Sequence, residues 1–245
     1  MPKETEFHAA FARALEGISP QVVTLDETGS TNDEARTLAR QGAPHLSVVV
    51  ANYQAAGRGR LDRTWVSPPG MGLMASFVVR PSLPVESWTT IPLLAGVAAC
   101  DAVRERTKVD AHLKWPNDLV TANGKLGGIL VEAEPPGFVI VGLGVNVSHL
   151  GFPPGLRATS LVLEGALRLD RADLLAATLR GFASANLDRY RELCATLGQR
   201  VRVERTNGDV EGVASDVDES GALVVDGVAV RSGDVVHLRP IDSPA

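Results

Sequence analysis

Cysteine is scarce in this chain: its 245 residues include two, Cys100 and Cys194, far apart in sequence. That excludes the dense disulfide framework of a small secreted domain and the paired spacing of a zinc site, and it fits a reducing, cytoplasmic setting. His8, His45, His112, His149 and His237 never fall at a spacing that puts two on one helix face, and no serine sits in a nucleophile-elbow pattern. A zinc enzyme or serine hydrolase is not expected. No apolar run approaches the roughly 18 residues of a membrane span, and the opening Met-Pro-Lys-Glu-Thr-Glu lacks the basic-then-apolar pattern of a signal peptide. A field of one charge sign is missing too: the formal net charge is -5, with 22% charged residues. Neither nucleic acid nor a membrane is therefore expected as a partner, and any anion site must be local.

Two common nucleotide schemes are absent as well. Gly124-Lys125-Leu126-Gly127-Gly128 lacks the Ser or Thr and the upstream glycine of a P-loop, and no Gly-x-Gly-x-x-Gly opens a helix. A nucleotide would have to bind by another scheme.

What is present is apolar content of 44%, enough for a sizeable core in one large domain followed by a small one. Phe7, Phe11, Ala14 and Leu15 fall at helical spacing, and Thr31 followed by Glu34 reads as a capping box opening a helix that closes at Gly42. Ser87 is placed to cap a helix over 88–106, with Pro92 in its first turn, and 171–197 is the longest helical pattern. Strands are expected over 22–25, 46–51, 73–79, 109–113, 119–121, 126–131 and 138–147, giving a mixed sheet. Residues 70–79 could form an edge strand open to self-pairing or to a carrier, so a homodimer stays open. From Gln199 onward short alternating strands, separated by Asn207-Gly208, Ser220-Gly221 and Asp226-Gly227, predict a small β-barrel. The expectation is an α/β (α+β) chain with domains 1–197 and 198–245.

Chemistry concentrates at three places. In Gly57-Arg58-Gly59-Arg60, followed by Arg63 and Trp65, glycines let the backbone approach an anion while guanidinium forks bind phosphate or carboxylate. The same residues also suit an RNA-binding segment or a solvated loop. Lys114-Trp115-Pro116-Asn117-Asp118 sets a cation, an amide and a carboxylate beside a proline that halts a strand, with Lys125 after the next turn; an ordinary surface hairpin has the same pattern. Gly142-Leu143-Gly144-Val145-Asn146-Val147 is either a strand on which a ring can lie flat or one packed closely on its neighbour. Cys100 and Cys194 both lie in apolar helical patterns and read as buried hydrophobes.

Taken in order, Glu27-Thr28-Gly29-Ser30-Thr31-Asn32, the run from Gln54 to Arg60, Lys114 to Asp118, Gly124 to Glu132 and Gly144-Val145-Asn146 resemble the biotin protein ligases. The resemblance is close over 22–147 and looser to the terminal barrel. It implies a mixed-sheet catalytic domain of the biotin/lipoate ligase type with an SH3-like C-terminal β-barrel, and an enzyme that activates biotin with ATP and Mg²⁺ and hands it to the biotin carboxyl carrier domain of a carboxylase. By the same resemblance Ser30, Thr31 and Gln54 hold the ureido head of biotin, Asn32 also belongs to the biotin site, and Gly127 and Gly128 leave room beside the ring. Gly57, Arg58 and Arg60 belong to the loop over the biotin carboxylate and the phosphates, and Lys125 meets the carboxylate. Arg63 and Trp65 close over the intermediate, and Lys114, Asn117 and Asn146 face the nucleotide. Asp118 is the candidate base for the attacking lysine, with metal ligation as the competing role. The commonest family form has Arg-Gly where this chain has Leu61-Asp62, which changes the electrostatics of the closed loop. Some family members carry a winged helix ahead of the catalytic domain; only about 20 residues precede the first strand here, too few for such a reader. A lipoate or octanoate transferase is the nearest enzymatic rival, and an RNA-binding module the rival of another class.

Overall fold

Two parallel neighbouring strands need a crossover that carries the chain back to the starting end of the sheet. The first half of the sequence supplies one. In the computed structural model, which describes residues 2–206 and 208–237, α1 (Pro2–Ala14) leads into β1 (Val22–Thr28), α2 (Thr31–Arg40) and β2 (Val48–Gln54), and β1 pairs with β2 in parallel. All other strand pairings among the described residues are antiparallel. β3 (Gly72–Val79), β4 (His112–Lys114), β5 (Asp118–Thr121), β6 (Gly124–Glu134) and β7 (Phe138–Asn146) complete a seven-stranded mixed sheet of order β1-β2-β3-β7-β6-β5-β4. The helices that follow in chain order are α3 (Ile91–Thr107), α4 (Arg171–Phe182) and α5 (Leu187–Leu193). The C-terminal strands β8 (Arg200–Glu204), β9 (Val210–Val217), β10 (Leu223–Val225), β11 (Val228–Val230) and β12 (Asp234–His237) make a separate antiparallel sheet of order β11-β10-β9-β8-β12. The expected mixed-sheet domain with a small SH3-like domain behind it is the architecture formed.

Alternation along the strands decides what each face of the large sheet meets. Leu73, Ala75, Phe77 and Val79 of β3 and Val139, Val141, Leu143 and Val145 of β7 join Val97, Leu174 and Leu175 of the helices in the main core. Val49, Val78 and Ile140 point the other way and pack with Ala35 and Ala39 of α2. Burying a side chain of that size contributes about 1.5–3 kcal/mol, so the register of β3 and β7 is strongly fixed. On the α2 face the next positions along β7 are Gly142, Gly144 and Asn146, and this is where the covering of the sheet gives way to loops.

Four expectations about elements are corrected. The helical pattern over 171–197 is two helices, because Asn186 accepts a hydrogen bond from Arg189 N at 2.9 Å and caps a new start. After α5 the chain bridges to the β4 edge, with Ala195 N donating to Leu113 O at 2.8 Å. Residues 70–79 are not an edge: β3 is paired on both sides, by β2 and β7. Ser87 lies inside a 3-10 turn (Val85–Thr90), and α3 starts at Ile91 with Pro92 in its first turn. Thr31 does not form a capping box: Ser30 is the N-cap without a side-chain bond, and Glu34 accepts instead from Thr28 Oγ1 at 2.8 Å. Asn207 of the expected Asn207-Gly208 turn, and residues 238–245 of the expected C-terminal domain, fall outside the described residues.

Candidate active site

The site is built on the floor that the β7 glycines leave open. A Cβ on Gly142 would collide with the Asn32 amide, and one on Gly144 would come 2.7 Å from Cε2 of Trp65, so both positions need the missing side chain. The ring anticipated on this strand is thus the chain's own Trp65. Above the floor the start of α2, the 54–66 loop and the 148–158 segment enclose a cavity of about 570 Å³, a usual size for a small-molecule site.

Ser30, Thr31, Asn32, Gln54, Arg58, Arg60, Arg63, Trp65, Asn117, Asp118, Lys125, Gly128 and Asn146 all line this one cavity. Gly57, Lys114 and Gly127 do not. Gly57 closes the loop: its carbonyl accepts from Trp65 N at 2.9 Å, and a Cβ there would come 2.5 Å from Trp65 O. A Cβ on Gly127 would come 2.5 Å from Gly144 O, so this glycine serves the β6–β7 contact. Lys114 is half-buried at the β4 edge, where burial pulls its pKa below the ordinary value.

One wall is a buried polar cluster. Gln54 Oε1 accepts from Thr31 N at 2.7 Å and from Thr31 Oγ1 at 2.9 Å. Ser76 Oγ lies 2.7 Å from Thr31 Oγ1 and 2.6 Å from Asn32 Oδ1, with one proton to donate between them. The Ser30 hydroxyl, buried beside them, makes no capping bond. Such a cluster fixes a polar ligand head by direction, because each group is held by its neighbours.

The second wall is cationic. Arg58 and Thr64 form a bridge that makes a short hairpin of the loop, and Gly59 N donates to Arg63 O at 2.6 Å. Arg60 is half-buried, donates to Asn117 Oδ1 at 3.1 Å, and is held by burial below its usual pKa. Lys125 Nζ donates to Asp118 Oδ1 at 2.6 Å. Arg63 is ion-paired with Asp234 of the C-terminal sheet. Asn146 donates to Thr159 O at 2.9 Å and anchors the third wall, where the His149 and Phe152 rings meet at a tilt of 55° with centroids 4.4 Å apart. Trp65 Nε1 and His149 Nδ1 are buried without partners, atoms that a bound ligand can satisfy.

Sequence reasoning missed Asp33, Ser76, Asp234, His149 and Phe152, and gave Glu132 no role beyond its place in a matched run. Asp33 stands in the first turn of α2, where an acid needs no other reason than the helix dipole. Phe152 lies in the Pro- and Gly-rich stretch 151–157, which carries no periodic pattern, and His149 just precedes it. Among the described residues no three His, Cys, Asp or Glu side chains gather as a metal cage. Burial pushes the Cys100 thiol up to about 12 and raises that of Cys194, as suits inert core residues.

Comparison with known proteins agrees with this geometry. Residues 25–146 match the Biotin/lipoate A/B protein ligase family, and residues 196–238 match the biotin protein ligase C terminal domain. A biotin--[acetyl-CoA-carboxylase] ligase of Mycobacterium tuberculosis is 38% identical over 239 residues, covering 89% of this chain and 90% of that protein. The bifunctional ligase/repressor BirA of Bacillus subtilis is 30% identical, covering 91% of this chain and 75% of that protein. Among solved structures, the biotin protein ligase from Aquifex aeolicus in complex with biotin and ATP is similar with a TM-score of 0.75 and 26% identity, over 90% of this chain and 100% of that one. The chain therefore belongs to the biotin/lipoate A/B protein ligase family, and within it to the biotin protein ligases.

Proposed function

We propose that this chain condenses biotin with MgATP to biotinyl-5'-AMP and transfers the biotinyl group to a lysine of a biotin carboxyl carrier domain. One observation carries the reading: a single cavity joins a buried polar cluster, Thr31 with Gln54 and Ser76, to the cations Arg60 and Lys125. The polar cluster suits the ureido head of biotin, and Ser30 and Asn32 stand beside it. The cations suit its carboxylate and the phosphates of the nucleotide. Asn117 and Asn146 reach the nucleotide side, with Arg63 and Trp65 closing over it.

In the first step a carboxylate oxygen attacks the α-phosphorus and pyrophosphate leaves, so no base is needed, but two anions must meet. Arg60 and Lys125 offset that repulsion and stabilise the charge that develops. Mg²⁺ on the phosphates would supply further charge neutralisation, and Asp118, a carboxylate of the cavity lining, is the residue that would hold it as the alternative to its role as base. In the second step the carrier lysine attacks the acyl carbon and AMP leaves. A lysine amine titrates near 10.4, so freeing its lone pair at neutral pH costs about 4.6 kcal/mol. We assign Asp118 as the group that takes this proton.

We place the catalytic unit at 1–197 and the C-terminal unit at 198–245, and the setting in the cytoplasm. Among the described residues no helix is long and apolar enough to cross a membrane. The test is incubation with biotin, MgATP and a carrier domain, read by intact mass. The expected result is one biotinyl group on the carrier, dependent on ATP and not displaced by excess lipoate. A carrier left unmodified would refute the reading.

A further inference from the structure

Arg58 has its fork filled. Nη1 donates to Asp33 Oδ2 at 2.6 Å and Nη2 to Asp33 Oδ1 at 2.7 Å, the bidentate geometry that a guanidinium and a carboxylate prefer. Asp33 is itself steadied by Arg36, whose Nη1 donates to Oδ1 at 2.6 Å. Behind the pair stands Glu132 of β6. It lies 3.5 Å from Arg58 Nη2, and it takes Arg36 Nη2 at 2.9 Å and Asn32 Nδ2 at 2.5 Å. Arg36 and Arg40 continue the series onto Glu134. Acids and arginines thus alternate along α2 and β6, and the loop arginine is the last member.

Arg60 differs in kind. It makes no ion pair among the described residues, its partner being the neutral Asn117. Two cations that look equivalent in sequence are therefore in different states: one satisfied on the helix, the other half-buried and open to an anion.

From these contacts we infer that Asp33 is a positioning residue of the ligase reaction: by clamping Arg58 onto the first turn of α2 it ties the foot of the loop to Ser30, Thr31 and Asn32, and leaves Arg60 as the loop's substrate cation. The clamp explains why an acid can stand beside an anion site. Its charge is spent on Arg58, which would otherwise be a long, flexible side chain with rotamer freedom to lose on binding. The opposite arrangement has the biotin carboxylate displacing Asp33 from Arg58, with Asp33 acting as a competitor. The two give opposite signs on removal of the Asp33 charge.

The inference rests on the proposed biotin chemistry, and the wild-type reaction with carrier separates the two: no product there removes the proposed function itself. Given wild-type product, Asp33→Asn should raise KM for biotin about tenfold with kcat within about twofold, since preorganisation of the bound state is what is lost. Asp33→Glu should recover most of it. Arg58→Gln should have a similar effect, and the double variant should be no worse than either single, because both remove one clamp. Trypsin should cut the ligand-free loop faster in Asp33→Asn at temperatures well below its melting transition. An unchanged or lowered KM for biotin in Asp33→Asn overturns the inference, as do fully additive effects in the double variant.

Discussion

Lys125 Nζ and Asp118 Oδ1 lie 2.6 Å apart beside Gly128, whose Cβ, if present, would stand 3.5 Å from that same Nζ. A cation proposed for the first chemical step and a carboxylate proposed for the second are therefore one pair. Each holds the other in place, and each is freed when a ligand takes its partner's charge. Lys125→Ala should abolish pyrophosphate release, by about 100-fold or more, while the melting temperature stays near that of the wild type. Full activity would remove Lys125 from the chemistry.

Asp118→Asn should separate the two steps. Adenylate formation should fall modestly, because Lys125 loses its partner, whereas transfer from purified biotinyl adenylate to the carrier should slow by about 100-fold. Transfer at the wild-type rate would refute the base assignment.

Trp65 lies on Gly144 and lines the cavity, whereas Trp88 and Trp115 are buried in the core and do not. Intrinsic fluorescence should therefore change when biotin and nucleotide bind, and the change should vanish in Trp65→Phe. Gly144→Ala should displace the indole and weaken ligand binding about tenfold. A full fluorescence response from Trp65→Phe would show that the ring does not report on the site.

How the clamp responds to acid follows from its charges. Hydrogen bonding from Arg58 holds the Asp33 carboxyl below its ordinary value of 3.8, against the opposing effect of burial. A carboxylate lowered in this way contributes stability above the ordinary value and loses it as pH falls through the lowered one. The melting-temperature difference between wild type and Asp33→Asn should thus be constant from about pH 8 to pH 5 and shrink in more acid solution. A difference that disappears near neutrality would mean that another group controls the clamp.

Much of this site was legible in the sequence because its residues come in contiguous runs. Ser30-Thr31-Asn32 starts a helix, Gln54 ends a strand, and Lys125 follows a turn, so local pattern alone marks them as polar groups at element ends. Asp33 was not legible, since an acid in a first helical turn is what the helix dipole favours anyway. Asp234 was still harder: its partner Arg63 is 171 residues away, and no local signal spans that distance. The break before α5 was hidden because Leu187 continues the helical spacing of Leu179, and only the Asn186 cap marks it. Alternation identified β3 as a strand but carries no information on its neighbours, and so misplaced it at an edge.

The most direct measurement is pyrophosphate release in the absence of any carrier. The account predicts a burst of about one equivalent per chain, strictly dependent on both biotin and ATP, followed by slow turnover as the adenylate is retained. Release that proceeds without biotin, or no release with both substrates present, would contradict it.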